Sequence, residues 1–278
     1  MPSTLVQGDR RARSAGAGLV LASLLLAGPA LAGTISLELT PTAQVSDGLL
    51  VVSVKIRNVG DEAAASVTPT LRFRGEVARG EGIFRLAPQQ TIEAALTMPA
   101  PDLRAGRWPY AISIAYADAN QYPLHALHVG TVVAGAPPPP TVAVVGIEAP
   151  QVATDGALEA RVKNLSAETR RLDVGIHLPE GIELVERIAP VELEGWAERA
   201  VSGSLVNRTA LPGSRYAAFV SVEYDEGDLH QAVVVPTSVE IVSPQSVFER
   251  HAALLWGAAG LLVVGWVGFL LWRRASRR

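Results

Sequence analysis

Val52-Ser53-Val54-Lys55-Ile56-Arg57-Asn58-Val59-Gly60 and Leu158-Glu159-Ala160-Arg161-Val162-Lys163-Asn164-Leu165-Ser166 are two copies of one pattern, placed about a hundred residues apart. In each, apolar residues alternate with polar ones and the run stops at Asn, which is the signature of a half-buried β-strand ending in a tight turn. Leu71-Arg72-Phe73 follows the first copy and Ile176-His177-Leu178 follows the second. Further on, Ile112-Ser113-Ile114-Ala115-Tyr116-Ala117-Asp118 matches Val220-Ser221-Val222-Glu223-Tyr224-Asp225, with His125 and His230 downstream. The chain therefore reads as an internal duplication of β-strands.

Period-two patterning recurs throughout both copies. Leu50, Val52, Val54 and Ile56 face one way, as do Ile92, Ala94, Leu96 and Met98, and then Tyr110, Ile112, Ile114 and Tyr116. Gly, Pro, Asn and Asp interrupt these runs at short intervals, and no helical spacing is sustained between residues 33 and 243. About seven short strands in roughly 100 residues is the count of an immunoglobulin-like sandwich. The expected fold class is all-β, with two tandem immunoglobulin-like β-sandwiches plus one C-terminal transmembrane helix. The sandwiches occupy 33–135 and 141–243, with the Pro-rich linker 136–140 between them. Pro137 to Pro140 favour a stiff polyproline II spacer.

Tyr110 and Tyr216 stand at the start of the sixth strand of each copy, after Leu103 to Pro109 and Leu211-Pro212-Gly213-Ser214-Arg215. That position is the tyrosine corner of Greek-key sandwiches, where the hydroxyl bonds back to upstream backbone. Both tyrosines are assigned a structural role.

The Arg57-Asn58-Val59-Gly60 turn, the small residues Ala63 to Ala65 and the Leu-x-Pro-Gly-x-Tyr-like segment resemble CARDB-type domains, cell-adhesion-related modules of bacterial and archaeal surface proteins. The second copy keeps Asn164 but has Ser166 in place of the Gly. The resemblance implies architecture and a tendency toward adhesion or scaffolding, with Asn58, Gly60 and Asn164 as turn residues. It supplies no catalytic residues.

The two ends of the chain set its expected location. Arg10, Arg11 and Arg13 precede an apolar stretch from Gly18 to Ala27, and Ala30-Leu31-Ala32 completes a signal peptide over 1–32. Beyond the juxtamembrane stretch 244–251, Ala252 to Trp272 carries no charge, and its 21 residues span roughly 31 Å as a helix. This matches the roughly 30 Å core of a bilayer. Arg273, Arg274, Arg277 and Arg278 in the tail 273–278 place the C-terminus in the cytoplasm by the positive-inside rule. The expectation is a single-pass protein of the cytoplasmic membrane, its ectodomain in the periplasm or outside. Along the helix Ala253, Gly257, Gly260 and Gly268 fall near one face, a small-residue stripe suited to contact with another helix.

Composition narrows the chemistry. Without cysteine there is no disulfide, thiolate nucleophile or cysteine-ligated metal. Seventeen of the 24 basic residues lie between signal and anchor, against 26 of the 27 acids. A surface near −9 repels nucleic acid and anionic lipid. No phosphate-cradling loop, His-Glu-x-x-His or Gly-x-Ser-x-Gly motif occurs. Asp118 and Asn120 in one hairpin, and Asp225 and Asp228 in the other, are oxygen-rich candidates for Ca²⁺, although a hairpin turn needs the same residue types to bend.

The sequence thus points to a non-enzymatic, cofactor-free envelope protein whose ectodomain binds a protein or glycan. The alternatives are an accessory subunit of a membrane transport or polymer-assembly complex, docked or self-associated through its helix, and a membrane-tethered chaperone-like protein.

Overall fold

The computed structural model describes residues 34–149 and 151–244, with positions 257, 260–262, 265, 266 and 276. The first half contributes β1 (Leu37–Ser46), β2 (Leu49–Asn58), β3 (Ala64–Phe73), β4 (Glu76–Arg79), β5 (Ile83–Leu86), β6 (Thr91–Pro99), β7 (Gly106–Ala117) and β8 (Pro123–Ala134). The second contributes β9 (Val142–Glu148), β10 (Gln151–Val152), β11 (Asp155–Asn164), β12 (Arg170–His177), β13 (Ile182–Leu184), β14 (Val191–Leu193), β15 (Glu198–Asn207), β16 (Arg215–Glu226) and β17 (Leu229–Ile241). The described chain is all-β with sandwich-like sheets.

Alternation decides which face each strand buries. Leu50, Val52, Val54 and Ile56 of β2 are sealed from solvent and pack with Leu71, Leu96, Ile112 and Ile114. Leu158, Ala160 and Val162 of β11 do the same with Leu172, Leu205, Val220 and Val222. Two separate hydrophobic clusters result, one per half. Each fully buried Leu or Ile contributes on the order of 1.5–3 kcal/mol.

The sheet order repeats as well. In the first half β1, β2 and β6 form one sheet, facing β4 and β5 on β3, then β7 and β8. In the second half β9, β11, β15 and β13 face β14, β12, β16 and β17. Short β10 leaves the first of these sheets and runs parallel to the end of β17, pairing Gln151 with Glu240. Turn chemistry fixes the hairpins: Asp47-Gly48 between β1 and β2, and Arg74-Gly75 between β3 and β4, both have positive φ at each residue. Two-residue loops of that handedness match the strand twist.

The structure joins the two halves through a ten-stranded sheet, where His230 of β17 pairs in parallel with Gly106 of β7. Gly106 has φ +145°, and a Cβ there would lie 1.8 Å from the His230 carbonyl oxygen. Only glycine permits this crossing. The proline run is also more than a spacer: the Pro138 carbonyl accepts from Arg107 Nη1 of β7 and from Gln231 Nε2 of β17.

The signal segment 1–32 and most of 252–272, including Ala253 and Gly268, lie outside the described residues. Gly257, Gly260, Leu261, Leu262, Gly265 and Trp266 are helical and exposed. Among the described residues no helix is long and apolar enough to cross a membrane.

Candidate functional site

Each half is anchored by a buried asparagine at the end of its second long strand. Asn58 Nδ2 donates to the carbonyls of Glu62 at 2.7 Å and Leu86 at 3.2 Å, while its Oδ1 accepts from Gly60 N at 3.0 Å. Asn164 Nδ2 donates to Glu168 at 2.7 Å, Leu193 at 3.1 Å and Glu194 at 3.0 Å. Its Oδ1 accepts from Ser166 N and from the Ser166 hydroxyl. Gly60 is tied to its place because a Cβ there would come 2.0 Å from the Thr34 carbonyl. At Ser166 that constraint is absent, and the hydroxyl supplies an extra bond.

The corner tyrosine assignment needs one correction. Tyr216 OH accepts from Leu211 N at 3.1 Å, five residues upstream. In the first half the matching bond comes from Trp108, whose Nε1 donates to the Arg104 carbonyl at 2.9 Å. Trp108 and Tyr216 each lie eight residues before Tyr116 and Tyr224. Tyr110 is instead a buried core residue packed over Gly130, where a Cβ would meet its hydroxyl at 2.8 Å.

Trp108 leads to the seam between the halves, where the polar chemistry collects. Its ring stacks on His230 with centroids 3.9 Å apart. Arg104 pairs with Asp225 at 2.9 Å, and Arg107 Nη1 donates to Gln231 Oε1 at 2.9 Å. Tyr122 OH donates to the Thr209 carbonyl, and His125 Nε2 lies 2.8 Å from Glu180 Oε2. His128 packs against Phe219 with ring centroids 5.6 Å apart. His177 Nε2 sits 2.8 Å from Ser221 Oγ. His125, His128, His177 and His230 are thus far apart in sequence and gathered at one seam, and only His251 lies outside the described residues.

Electrostatics at the seam are uneven. Burial pulls the His230 imidazole down, but hydrogen bonds to Glu223 and Asp225, with their charges, outweigh it and hold its pKa above the usual value. Burial likewise pushes Asp225 up, and the bonds from His230 and Arg104 override it, leaving the carboxyl below its usual range. Burial lowers His128. It also lowers His177, opposed in part by the charge of Glu223. Tyr116 is pushed up to about 12 by burial and then by Tyr216.

The calcium candidates do not form one site. Asp118 Oδ1 accepts from Asn120 N and Tyr122 N, both at 2.8 Å, a turn-closing arrangement. Asp225 is committed to Arg104 and His230. The two hairpins lie at opposite ends of β7, and among the described residues no three His, Asp or Glu side chains converge as a metal site. His177 and Ser221 form a base–hydroxyl pair that sequence spacing did not reveal. Ser221 is 1% exposed, so a substrate carbonyl has no approach to its hydroxyl.

A cleft of about 510 Å³ opens beside the seam, lined by Trp108, Arg171, Asp173, Glu223 and His230. A second, of about 380 Å³, shares Trp108 and Glu223 and adds Arg72, Arg74 and His177. These walls carry mixed charge and an aromatic edge, which suits binding by surface complementarity.

The fold and seam define an all-β protein with immunoglobulin-like sandwich sheets. No protein-family model matches the chain, and no curated protein matches it. Among solved structures it is similar to Escherichia coli alpha-2-macroglobulin activated by porcine elastase, at 13% identity and TM-score 0.31, covering 75% of this chain and 22% of that one. A Salmonella alpha-2-macroglobulin gives 13% identity and TM-score 0.30, covering 75% and 16%. Red sea bream transglutaminase gives 12% and 0.26, covering 75% and 31%. The chain spans less than a third of the length of each of these proteins. Its strand order and pairing, rather than these likenesses, carry the fold assignment.

Proposed function

We propose that this chain is a single-pass envelope protein that holds two tandem CARDB-like sandwiches outside the cytoplasmic membrane as a binding, adhesive or scaffolding module, with no chemistry of its own. The observation that carries the reading is the seam. Gly106, Trp108, Arg104 and Arg107 meet His230, Asp225 and Gln231, and Arg107 and Gln231 hold the Pro138 carbonyl, contacts that favour the two halves moving as one body. Rigid presentation lowers the ordering cost of binding, which favours a display or scaffold role. The apolar run Ala252 to Trp272 begins eleven residues after β17 ends at Ile241, close enough to set that body at a membrane surface.

The small-residue stripe Ala253, Gly257, Gly260 and Gly268 favours a second reading, an accessory subunit docked to a membrane protein. A mild-detergent pull-down of the full-length chain, beside a secreted chain ending at Ser243, separates the two. Display predicts no stoichiometric membrane partner with either. A partner seen only with the full-length chain, and lost on Gly257→Leu with Gly260→Leu, establishes the accessory role and overturns free-standing display.

A further inference from the structure

We infer that the junction between the halves is a proton-dependent lock, closed when His230 is an imidazolium and His128 and His177 are neutral, and loosened on either side of that window. The inference rests on the seam geometry and is independent of what the ectodomain binds.

His230 is the centre of the lock. Its Nδ1 lies 3.0 Å from Asp225 Oδ1 and its Nε2 3.3 Å from Glu223 Oε2, with the ring against Trp108 of the other half. Both carboxylates only accept, and a neutral imidazole has a single N–H to give. The two bonds therefore coexist only in the imidazolium. Loss of the proton turns a lone pair toward one carboxylate and removes the positive charge from the Trp108 face. The remaining charges around this ring are those of Arg104, which holds Asp225 at 2.9 Å, Arg74, whose guanidinium is 5.3 Å from the Trp108 centroid, and Arg171, Asp173 and Arg187 across the cleft.

His128 and His177 work in the opposite sense. His128 rests on Phe219, in a cleft shared with His125, Tyr116, Tyr216 and Arg215. His177 faces Ser221, with Glu223, Arg72, Arg74, His125, Glu180 and Glu183 around its clefts. Protonating either places a charge in a partly desolvated seam.

His230 titrates above its ordinary value of roughly 6.5, so its contribution is complete below that value and is lost as pH rises through the raised one. His128 and His177 titrate below it, so their contribution is complete above that value and is lost as pH falls through the lowered ones. Closure is therefore greatest near a pH of about 6.5.

The test uses the full-length protein in detergent with spin labels at Thr91→Cys and Glu198→Cys, one exposed site on each half, since no native cysteine competes. A narrow inter-label distance is expected at a pH of about 6.5, broadening reversibly as the pH is taken above or below it while far-UV circular dichroism holds constant. His230→Gln removes the alkaline limb and leaves the distribution broad. Asp225→Asn moves that limb to lower pH and serves if His230→Gln fails to fold. A width that does not change with pH in the native chain, or an alkaline limb unmoved in Asp225→Asn, overturns the inference.

Discussion

The buried amides of Asn58 and Asn164 each hold backbone carbonyls of their turns and of the strand ends beside them. Asn58→Ala and Asn164→Ala should each cost on the order of 2–4 kcal/mol, since a buried carbonyl left unpaired adds its desolvation penalty to the lost bond. Chemical denaturation followed by circular dichroism measures this, and Asn164→Ala should be the more damaging because Asn164 makes more bonds. A loss within experimental error for both would contradict the anchoring role. Gly106→Ala should act differently, because its Cβ collides with the His230 carbonyl rather than with either core. Scattering should show a larger radius of gyration with an unchanged circular dichroism spectrum. The asparagines were legible in sequence, since a polar residue ending an alternating run is a local signal. Trp108 and the seam histidines were not, because Trp108 and His128 meet His230 and Phe219 of the other half, and His177 meets Ser221 44 residues away on another strand.

At the scale of elements, β2, β7, β11 and β16 could be read directly, as alternation and turn residues act over a few positions. The two-residue strand β10, and the single-residue parallel contact between β7 and β17, leave no periodic trace. The proline run illustrates the limit. Composition predicts stiffness, but its clamping depends on Arg107 and Gln231, 31 and 93 residues from Pro138. Thr141 carries the first amide after Pro140, and it donates to Tyr224 OH at 2.6 Å. Tyr224→Phe should therefore speed exchange of the Thr141 amide by about tenfold, the equivalent of one hydrogen bond. Unchanged exchange would show that the linker end is protected by something other than this bond.

For the whole molecule, stability is divided between two hydrophobic clusters and the seam that couples them. Arg107→Ala removes contacts to both Pro138 and Gln231, and at about 1.5–3 kcal/mol for hydrogen bonds to a charged group it should loosen the coupling without melting either cluster. Calorimetry would then resolve two transitions where the native chain shows one. In the topology we propose, this coupled pair stands outside the cytoplasmic membrane and the C-terminus lies in the cytoplasm, as the residues at the two ends of the sequence favour. Single cysteines at Thr91 and Ala275 test it directly in cells stripped to that membrane, using a maleimide that cannot cross. The account predicts labelling at Thr91→Cys in intact cells and at Ala275→Cys only after lysis. Protection of Thr91→Cys, or labelling of Ala275→Cys before lysis, would contradict it.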